Sequence, residues 1–170
     1  MTDKISFKSD NVFGSTLGKW WDWLNENQGA RAELRRAPNL TAVALTSAFQ
    51  RLYQWQLAVG FPQPKRPEIS TQTERLAAIA GLLAHVKVAV DQSLPMLMSE
   101  GDRPPVSELR FRRILDSPSI DDLFVGLRRA LPLFDHKADL YDLAESVFNW
   151  GDSVKKKWAY NYRWPAKAQD

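Results

Sequence analysis

The sequence predicts an all-α protein, a compact bundle of about eight helices, and three observations support this class. Apolar residues recur three and four positions apart along most of the 170 residues, as one buried helix face requires. No segment alternates polar and apolar residues with the period of a strand. Residues that favour helix N-termini precede several periodic stretches. We expect one domain, residues 1–170, built either as one bundle or as two packed helical lobes, 15–94 and 105–164.

Three helices are predicted before the first proline-rich segment. The first begins at Ser15 and ends near Gly29, and a short basic helix follows and ends before Pro38. Asn39 is a favourable N-cap for the third helix, which the periodicity extends to about Val59.

Two proline-containing segments divide the middle of the chain. The first, 60–68, contains three prolines and predicts a stiff, exposed connection. After it, Thr71 and Glu74 form a capping-box pair, and the apolar spacing extends a helix towards Val90. The second segment, 94–105, contains a glycine and a Pro-Pro pair, so we expect a loop there and no regular element.

Four more helices are predicted in the second half. Ser107 and Ser119 are favourable N-caps for the first two of them. In each helix the apolar residues fall on one face, which we expect to be buried. These residues are Phe111, Ile114 and Leu115; Ile120, Leu123, Phe124, Leu127 and Leu131; Leu140, Leu143, Ala144, Val147 and Phe148; and Val154, Trp158 and Tyr162.

Composition excludes several classes of protein. The hydrophobic fraction of 44% and the charged fraction of 25% are ordinary for a globular domain, and the net charge of +3 is modest. The chain has no cysteine, which excludes disulfides, thiolate metal sites and cysteine nucleophiles. Residues 1–10 lack the apolar core of a signal peptide, and no apolar run is long enough to span a membrane. We therefore expect a cytoplasmic protein.

The sequence does not indicate a catalytic or metal site. His85 lies in a largely apolar stretch and His136 in a turn, which is not the arrangement of a triad or a ligand set. Asp139, Asp142 and Glu145 are three apart and away from the apolar stripe, as on a solvated helix face. No glycine-rich phosphate loop is present. We expect no enzymatic activity, no cofactor and no metal.

The most informative feature is a set of four basic clusters on the predicted helices. They lie largely off the apolar stripes, so part of each cluster should face solvent. Guanidinium forks bind phosphate oxygens at two points and stay charged, so the clusters predict binding to a nucleic-acid backbone without base reading. The candidate residues are Arg31, Arg35 and Arg36; Arg110, Arg112 and Arg113; Arg128 and Arg129; and Lys155, Lys156 and Lys157.

The residues also leave other interpretations open. Acidic neighbours such as Asp121 and Asp122 could pair with the cations at the surface, at roughly 0–1 kcal/mol per pair. The arginines could instead contact acidic proteins in a helical interaction module. A helix-turn-helix regulator is a third interpretation, but the Ser117–Pro118 step replaces the tight glycine-containing turn of that motif.

Seven tryptophans are many for a chain of this size. Exposed aromatic rings can stack on bases, but large aromatic side chains are more often core or interface residues. We therefore expect most of the seven to be buried.

Five motifs occur in an order that resembles the CasB family, the small subunit of the type I-E CRISPR surveillance complex Cascade. They are R-x-x-L-R-R-A at 31–37, R-F-R-R-I-L at 110–115, L-R-R-A-L-P-L at 127–133, L-A-x-x-x-x-x-W-G-D at 143–152 and K-K-K-W-A-Y-N-Y at 155–162. An early tryptophan-rich helix, with Trp20, Trp21 and Trp23, precedes the first motif, so the resemblance extends from about Trp20 to Tyr162. Residues 62–67 and 94–105 match no part of the family pattern.

The resemblance implies an all-helical subunit without enzymatic activity of its own. Two copies would lie head to tail in the complex and contact the large subunit and the backbone subunits. They would support the guide RNA and the target strand, and hold the displaced non-target strand through basic surfaces. Sequence specificity would then come from guide pairing.

Within this role we rank the candidate phosphate contacts. The arginines of 110–113 and 128–129 come first, and the lysines of 155–157 with the arginines of 31–36 come second. Arg31 and Arg36 could instead face a neighbouring subunit, and Arg112 could form an internal salt bridge.

Overall fold

The computed structural model of the chain describes residues 5–64 and 68–166. Over these residues the all-α prediction is confirmed, with ten α-helices, one 3-10 turn and two strands of two residues each. The helices are α1 (Val12–Glu26), α2 (Gln28–Arg36), α3 (Leu40–Ala44), α4 (Ser47–Ala58), α5 (Ile69–Leu83), α6 (Leu94–Met98), α7 (Glu108–Leu115), α8 (Ile120–Ala130), α9 (Leu140–Phe148) and α10 (Asp152–Asn161). The 3-10 turn is Leu131–Phe134, and the strands β1 (Val88–Ala89) and β2 (Lys137–Ala138) pair in parallel.

Helix α5 is at the centre of the bundle and packs against α3, α8 and α9. Its second half is buried continuously from Leu76 to Leu83. The approach of α8 is close, because a Cβ on Gly81 would lie 2.7 Å from Cε2 of Phe124 and 3.0 Å from Cγ2 of Val43. A residue without a side chain is needed at this position, and α8 is thereby fixed against the centre of the bundle.

The N-caps of the first helices are partly those predicted. Helix α1 is capped by Asn11, whose Oδ1 accepts a 3.0 Å hydrogen bond from the amide of Phe13. Ser15 therefore lies inside α1, and its prediction as the cap was wrong. Asn39 caps α3 as predicted, by accepting a 2.8 Å hydrogen bond from the amide of Ala42.

Two predicted helices in the first half begin or end elsewhere. Oγ1 of Thr46 accepts a 3.1 Å hydrogen bond from the amide of Phe49 and starts a new helix, so the predicted third helix is two helices, α3 and α4. Helix α5 already contains Thr71 and Glu74, so the capping-box prediction was wrong. Val90 lies beyond the end of α5, after β1.

The sequence predicts a loop over 94–105, but α6 forms at its beginning. Pro95 occupies the first turn of α6, where a missing N–H removes no helical hydrogen bond. The amide of Leu94 donates a 3.0 Å hydrogen bond to Oδ2 of Asp142, so a carboxylate of α9 satisfies this helix start. Of the other proline-rich segment, residues 65–67 lie outside the described residues.

The second half follows the predicted order of four helices. Ser107 and Ser119 cap α7 and α8 as predicted, each by accepting a hydrogen bond from an amide of the first turn. Behind α7, the ring of Phe111 stacks on that of Tyr162 with centroids 4.0 Å apart. The hydroxyl of Tyr162 donates a 2.6 Å hydrogen bond to the carbonyl of Val106. These contacts join the end of α10 to the start of α7.

The tryptophans are mostly in or against the core, as predicted. Trp20, Trp150 and Trp158 are buried, and Trp21, Trp23 and Trp55 are partly buried against the core; Trp164 is 40% exposed. No helix in the described ranges is long and apolar enough to cross a membrane. The division into two lobes stays a prediction.

Candidate nucleic-acid interface

Basic side chains from two helices meet at one groove. Arg110 and Arg113 of α7 and Arg129 of α8 line a groove of about 540 Å³ between these helices. Arg110 and Arg113 are three residues apart and therefore share one flank of α7. All three arginines are exposed. The other lining residues are Val106, Ile114, Ser117, Pro118, Asp122, Gly126, Ala130 and Leu133.

The groove carries more positive than negative charge. Among the described residues, none of the three groove arginines is in a salt bridge. Asp122 is the acidic residue in the lining, and its Oδ2 accepts a 2.7 Å hydrogen bond from the hydroxyl of Ser119. This bond holds the carboxylate at the start of α8, where a negative charge interacts favourably with the helix dipole. The arginines are thus left available to an external anion.

Helix ends explain where the arginine pairs lie. The pairs 35–36, 112–113 and 128–129 each occupy the last turn of a helix, in α2, α7 and α8. A cation at this position interacts favourably with the helix dipole, by about 0.3–1 kcal/mol. This accounts for the pairs themselves, but not for Arg110, which lies near the start of α7 and still reaches the same groove.

Arg112 lies on the opposite flank of α7 from the groove. Its guanidinium forms an exposed salt bridge with Glu108, 3.0 Å from NH2 to Oε1, and also lies over the ring of Trp164 at 5.0 Å. Arg112 therefore forms a salt bridge, but on the exposed surface of α7 and not in the interior as predicted. The structure does not bring Arg112 together with Arg110 and Arg113.

Arg128, one residue before the groove arginine of α8, turns to the backbone of α2. Its guanidinium donates to the carbonyl of Ala37 at 3.0 Å and to that of Arg35 at 2.8 Å. Carbonyls at the end of a helix have no helical partner, so Arg128 satisfies two acceptors there. Arg128 thus has a structural role, and we do not retain it among the phosphate contacts.

Of the three arginines of α2, Arg31 is buried, whereas Arg35 and Arg36 are at the surface. Arg31 is only 7% exposed, and its guanidinium donates to the carbonyls of Ala84 and Val86 and, at 2.7 Å, to Oδ1 of Asn25. Burial, and then the charge of Arg35, lowers its pKa. An external phosphate has little access to Arg31, which we also leave out of the contact set. Arg35 and Arg36 are exposed at the end of α2.

The three lysines of α10 have different surroundings. Lys155 is half-buried, and its Nζ lies 5.8 Å from the centroid of Trp150. Lys156 and Lys157 are exposed on the side of α10 that faces away from the core. Lys157 is close enough to Asp142 to oppose the rise in the pKa of that carboxyl, which burial causes.

The carboxylates of α9 do not form a solvated face, and that interpretation was wrong. Oδ1 of Asp139 accepts a 3.0 Å hydrogen bond from the amide of Tyr141 and caps α9. Asp142 accepts from the start of α6, as described above, and Oε1 of Glu145 accepts from the amide of Phe7. Each carboxylate therefore satisfies a backbone donor, which is a structural role.

The imidazole ring of His136 contacts the backbone of His85. Nδ1 of His136 lies 2.9 Å from the carbonyl oxygen of His85. Burial, followed by the positive charges of Arg128 and Arg35, lowers the pKa of His85 to about 4. His85 is therefore neutral at pH 7. Over the described ranges, no group of three or more histidines and carboxylates could hold a metal ion.

Periodicity did not identify the apolar part of the groove. Val106 and Leu133 line it from just before α7 and just after α8, in segments without helical spacing. The sequence signal for Leu133 is the Leu-Pro-Leu sequence that follows the arginine pair. In the structure Leu131 of this sequence is buried, and Leu133 is exposed.

The sequence matches a known protein family. Residues 30–162 match the family model of CRISPR-associated protein Cse2, and this span contains every candidate basic residue. Neither the curated proteins nor the solved structures give a significant match. Since the matched span covers well over half of the chain, the match shows the family. The chain therefore belongs to the Cse2 family, also called CasB, the small subunit of the type I-E CRISPR Cascade complex.

Proposed function

We propose that this Cascade subunit binds the phosphate backbone of single-stranded DNA in the α7–α8 groove. By doing so it stabilises the R-loop and holds the displaced non-target strand. The observation that carries the proposal is the convergence of Arg110, Arg113 and Arg129 from two helices on one groove. Their exposure, and the absence of salt bridges for them in the described part of the chain, support it.

The chemistry of the groove suits a strand that is bound without recognition of its base sequence. Guanidinium groups bind phosphate oxygens, which are the same at every nucleotide, so the contacts carry no sequence information. The exposed apolar side chains of Pro118 and Leu133 can pack against sugars and base faces of any sequence. Such binding is compatible with a complex in which the guide RNA reads the sequence.

The rest of the proposed role is supported by membership of the Cse2 family. We propose that the chain acts in the cytoplasm without catalysis, in contact with the large subunit, the backbone subunits and a second copy of itself. In this position it would support the guide RNA and the target strand. Arg35, Arg36, Lys156 and Lys157 are exposed and belong to the proposed contact set in second rank.

A helix-turn-helix regulator fits the structure less well. In that motif the N-terminal residues of the second helix contact base edges. Here the first turn of α8 contains Asp121 and Asp122, and both are exposed. Two carboxylates would repel the DNA at the position where the motif requires contact.

The test compares target-DNA binding by the complete Cascade complex assembled with this chain, without it, and with a groove variant. In the variant, Arg110, Arg113 and Arg129 are each replaced by Glu. The matched control is Arg103→Glu, because Arg103 is exposed in the 99–106 connection and does not line the groove.

We expect omission and the groove variant to shorten R-loop lifetime and to make the salt dependence shallower. Three lost phosphate contacts correspond to a change of about 2 in the slope of log affinity against log salt. The control should behave as wild type. If the groove variant assembles and binds target DNA with unchanged affinity and slope, the groove is not the contact. The chain would then be an interaction module within the complex.

A further inference from the structure

We propose that the outer face of α10, formed by Lys156, Lys157 and Tyr160, is a base-stacking site for unpaired nucleotides. The inference rests on the proposed function, since it adds a second contact to the same single strand. The α7–α8 groove binds phosphates, whereas this site would bind a base.

The exposure of Tyr160 is the first observation. The side chain is 89% exposed, the highest value among the large hydrophobic residues in the described part of the chain. Trp158, two residues earlier, is 2% exposed. Two residues are about 200° apart around a helix, so Tyr160 projects from the side opposite the core. The ring therefore contributes nothing to the packing of α10.

The lysines beside Tyr160 are the second observation. Lys156 and Lys157 precede it by four and three residues and are therefore its neighbours on the helix surface, one on either side. Both are exposed, and neither is in a salt bridge within the described ranges.

The combination suits an unpaired nucleotide. Every base has a π-face that can stack on an aromatic ring, and the adjoining phosphates are negatively charged. A base on the ring of Tyr160 would bring its phosphates within reach of the flexible lysine side chains. No base edge needs to be read, so the site would tolerate any sequence.

The helix that carries the ring is held firmly from the inside. Nε1 of Trp158 donates a 3.1 Å hydrogen bond to Oγ of Ser146, and Tyr162 bonds to the start of α7 as described above. Nε1 of Trp164 donates to the carbonyl of Ala159 at 2.8 Å, at the end of the same helix. A ring on a fixed helix loses little conformational freedom when a base stacks on it.

The groove and the outer face of α10 lie on opposite sides of the contact between α7 and α10. Phe111 packs between α7 and α10, with its ring stacked on Trp158 at 6.5 Å between centroids. Arg110 and Arg113 lie on the groove side of α7. Tyr160 lies on the side of α10 opposite Trp158, so a single strand that occupied both sites would have to pass α7 and α10, each roughly 10 Å wide.

The test uses the full-length chain and two strands of equal length, oligothymidine and an abasic oligonucleotide with the same phosphates. Binding is measured by fluorescence anisotropy at low salt. Tyr160→Ala removes the ring, and Tyr160→Phe is the matched control because it retains the ring and loses the hydroxyl. Since the side chain is almost fully exposed, neither change should affect folding. Arg129→Glu tests the groove in parallel.

We expect Tyr160→Ala to weaken binding to oligothymidine about tenfold and to leave the abasic strand unchanged. Tyr160→Phe should bind as wild type, and Arg129→Glu should weaken both strands to a similar extent. If Tyr160→Ala changes neither strand, or both equally, while Arg129→Glu still weakens both, the stacking site is wrong and the proposed function stands. If the wild-type chain binds neither strand, both proposals fail.

Discussion

Arg128 of α8 donates a 3.0 Å hydrogen bond to the carbonyl of Ala37, at the end of α2 and 91 residues away in sequence. Its neighbour Arg129 instead lines the exposed groove between α7 and α8. Two adjacent residues of the same type therefore have different tasks, since one holds two helices together and the other is available to an anion. This difference can be measured.

Substitutions of Arg128 and Arg129 in α8 should differ in their effect on the free energy of unfolding. Arg128→Ala leaves two carbonyls without their charged donor, and we expect it to lower the free energy of unfolding by about 2 kcal/mol. Arg129→Ala should change it by less than about 0.5 kcal/mol, because the side chain is exposed and unpaired. Urea unfolding followed by circular dichroism gives both values. The assignment fails if the two variants are equally destabilised.

Substitutions on the two flanks of α7 should differ in their effect on the salt dependence of DNA binding. Arg113→Ala removes one proposed phosphate contact, so we expect the slope of log affinity for single-stranded DNA against log salt to become shallower by about 0.7. Arg112→Ala should leave the slope nearly unchanged, because Glu108 already pairs with Arg112. Titrations at several salt concentrations measure the slopes. Equal changes for the two variants would contradict a groove confined to one flank.

Stability should depend on pH through His85. Its pKa is lowered to about 4 in the folded protein, against an ordinary value near 6.5, by burial and by the charges of Arg128, Arg35, His136 and Arg31. The unfolded chain therefore binds more protons below pH 6.5, and stability should fall as the pH drops from 6.5 towards 4. His85→Gln removes this titration and should flatten the decline over the same range. Thermal unfolding of the wild type and the variant at a series of pH values measures this decline. If both show the same dependence of stability on pH, the titration of His85 does not cause it.

Two glycines in helices should respond to alanine in opposite directions. Gly81→Ala places a Cβ 2.7 Å from the ring of Phe124, and we expect a loss of about 1–3 kcal/mol from overpacking. Gly29→Ala, in α2, meets no atom within 4 Å and should stabilise the chain by roughly 0.5–1 kcal/mol through its higher helix propensity. Unfolding curves of the two variants provide the comparison. A neutral or stabilising Gly81→Ala would mean that α8 can move away from α5.

Helical spacing predicted the class and most elements, because buried faces recur with the helix period whatever the tertiary arrangement. It failed where a distant residue decides the local structure. Helix α6 begins at Leu94 because a carboxylate of α9 accepts a hydrogen bond from the first amide of the helix. The sequence around Leu94 contains no pattern that predicts this contact. The interruption between α3 and α4 depends on Thr46, whose side chain competes with the helix for a backbone amide.

The candidate site could be predicted only in part, for a related reason. Periodicity shows that Arg31, Arg128 and Arg129 lie off the apolar stripes, but not what each one meets there. The acceptors of Arg31 are carbonyls beyond the end of α5, and those of Arg128 are carbonyls at the end of α2. Such acceptors exist in every sequence and leave no mark in the residue pattern. Tyr160 was overlooked because an exposed aromatic and a buried one look alike in sequence.

The close approach at Gly81 has a consequence for evolution of the subunit. Because α8 rests on the centre of the bundle at that position, the size of a residue on α5 determines where the groove arginine of α8 is presented. A substitution in the interior could therefore tilt α8 and, with it, displace the proposed phosphate contact Arg129. The proposed contact surface and the interior are in this respect coupled, and the groove arginines transplanted onto another helical scaffold would need α5 and the position of Gly81 as well.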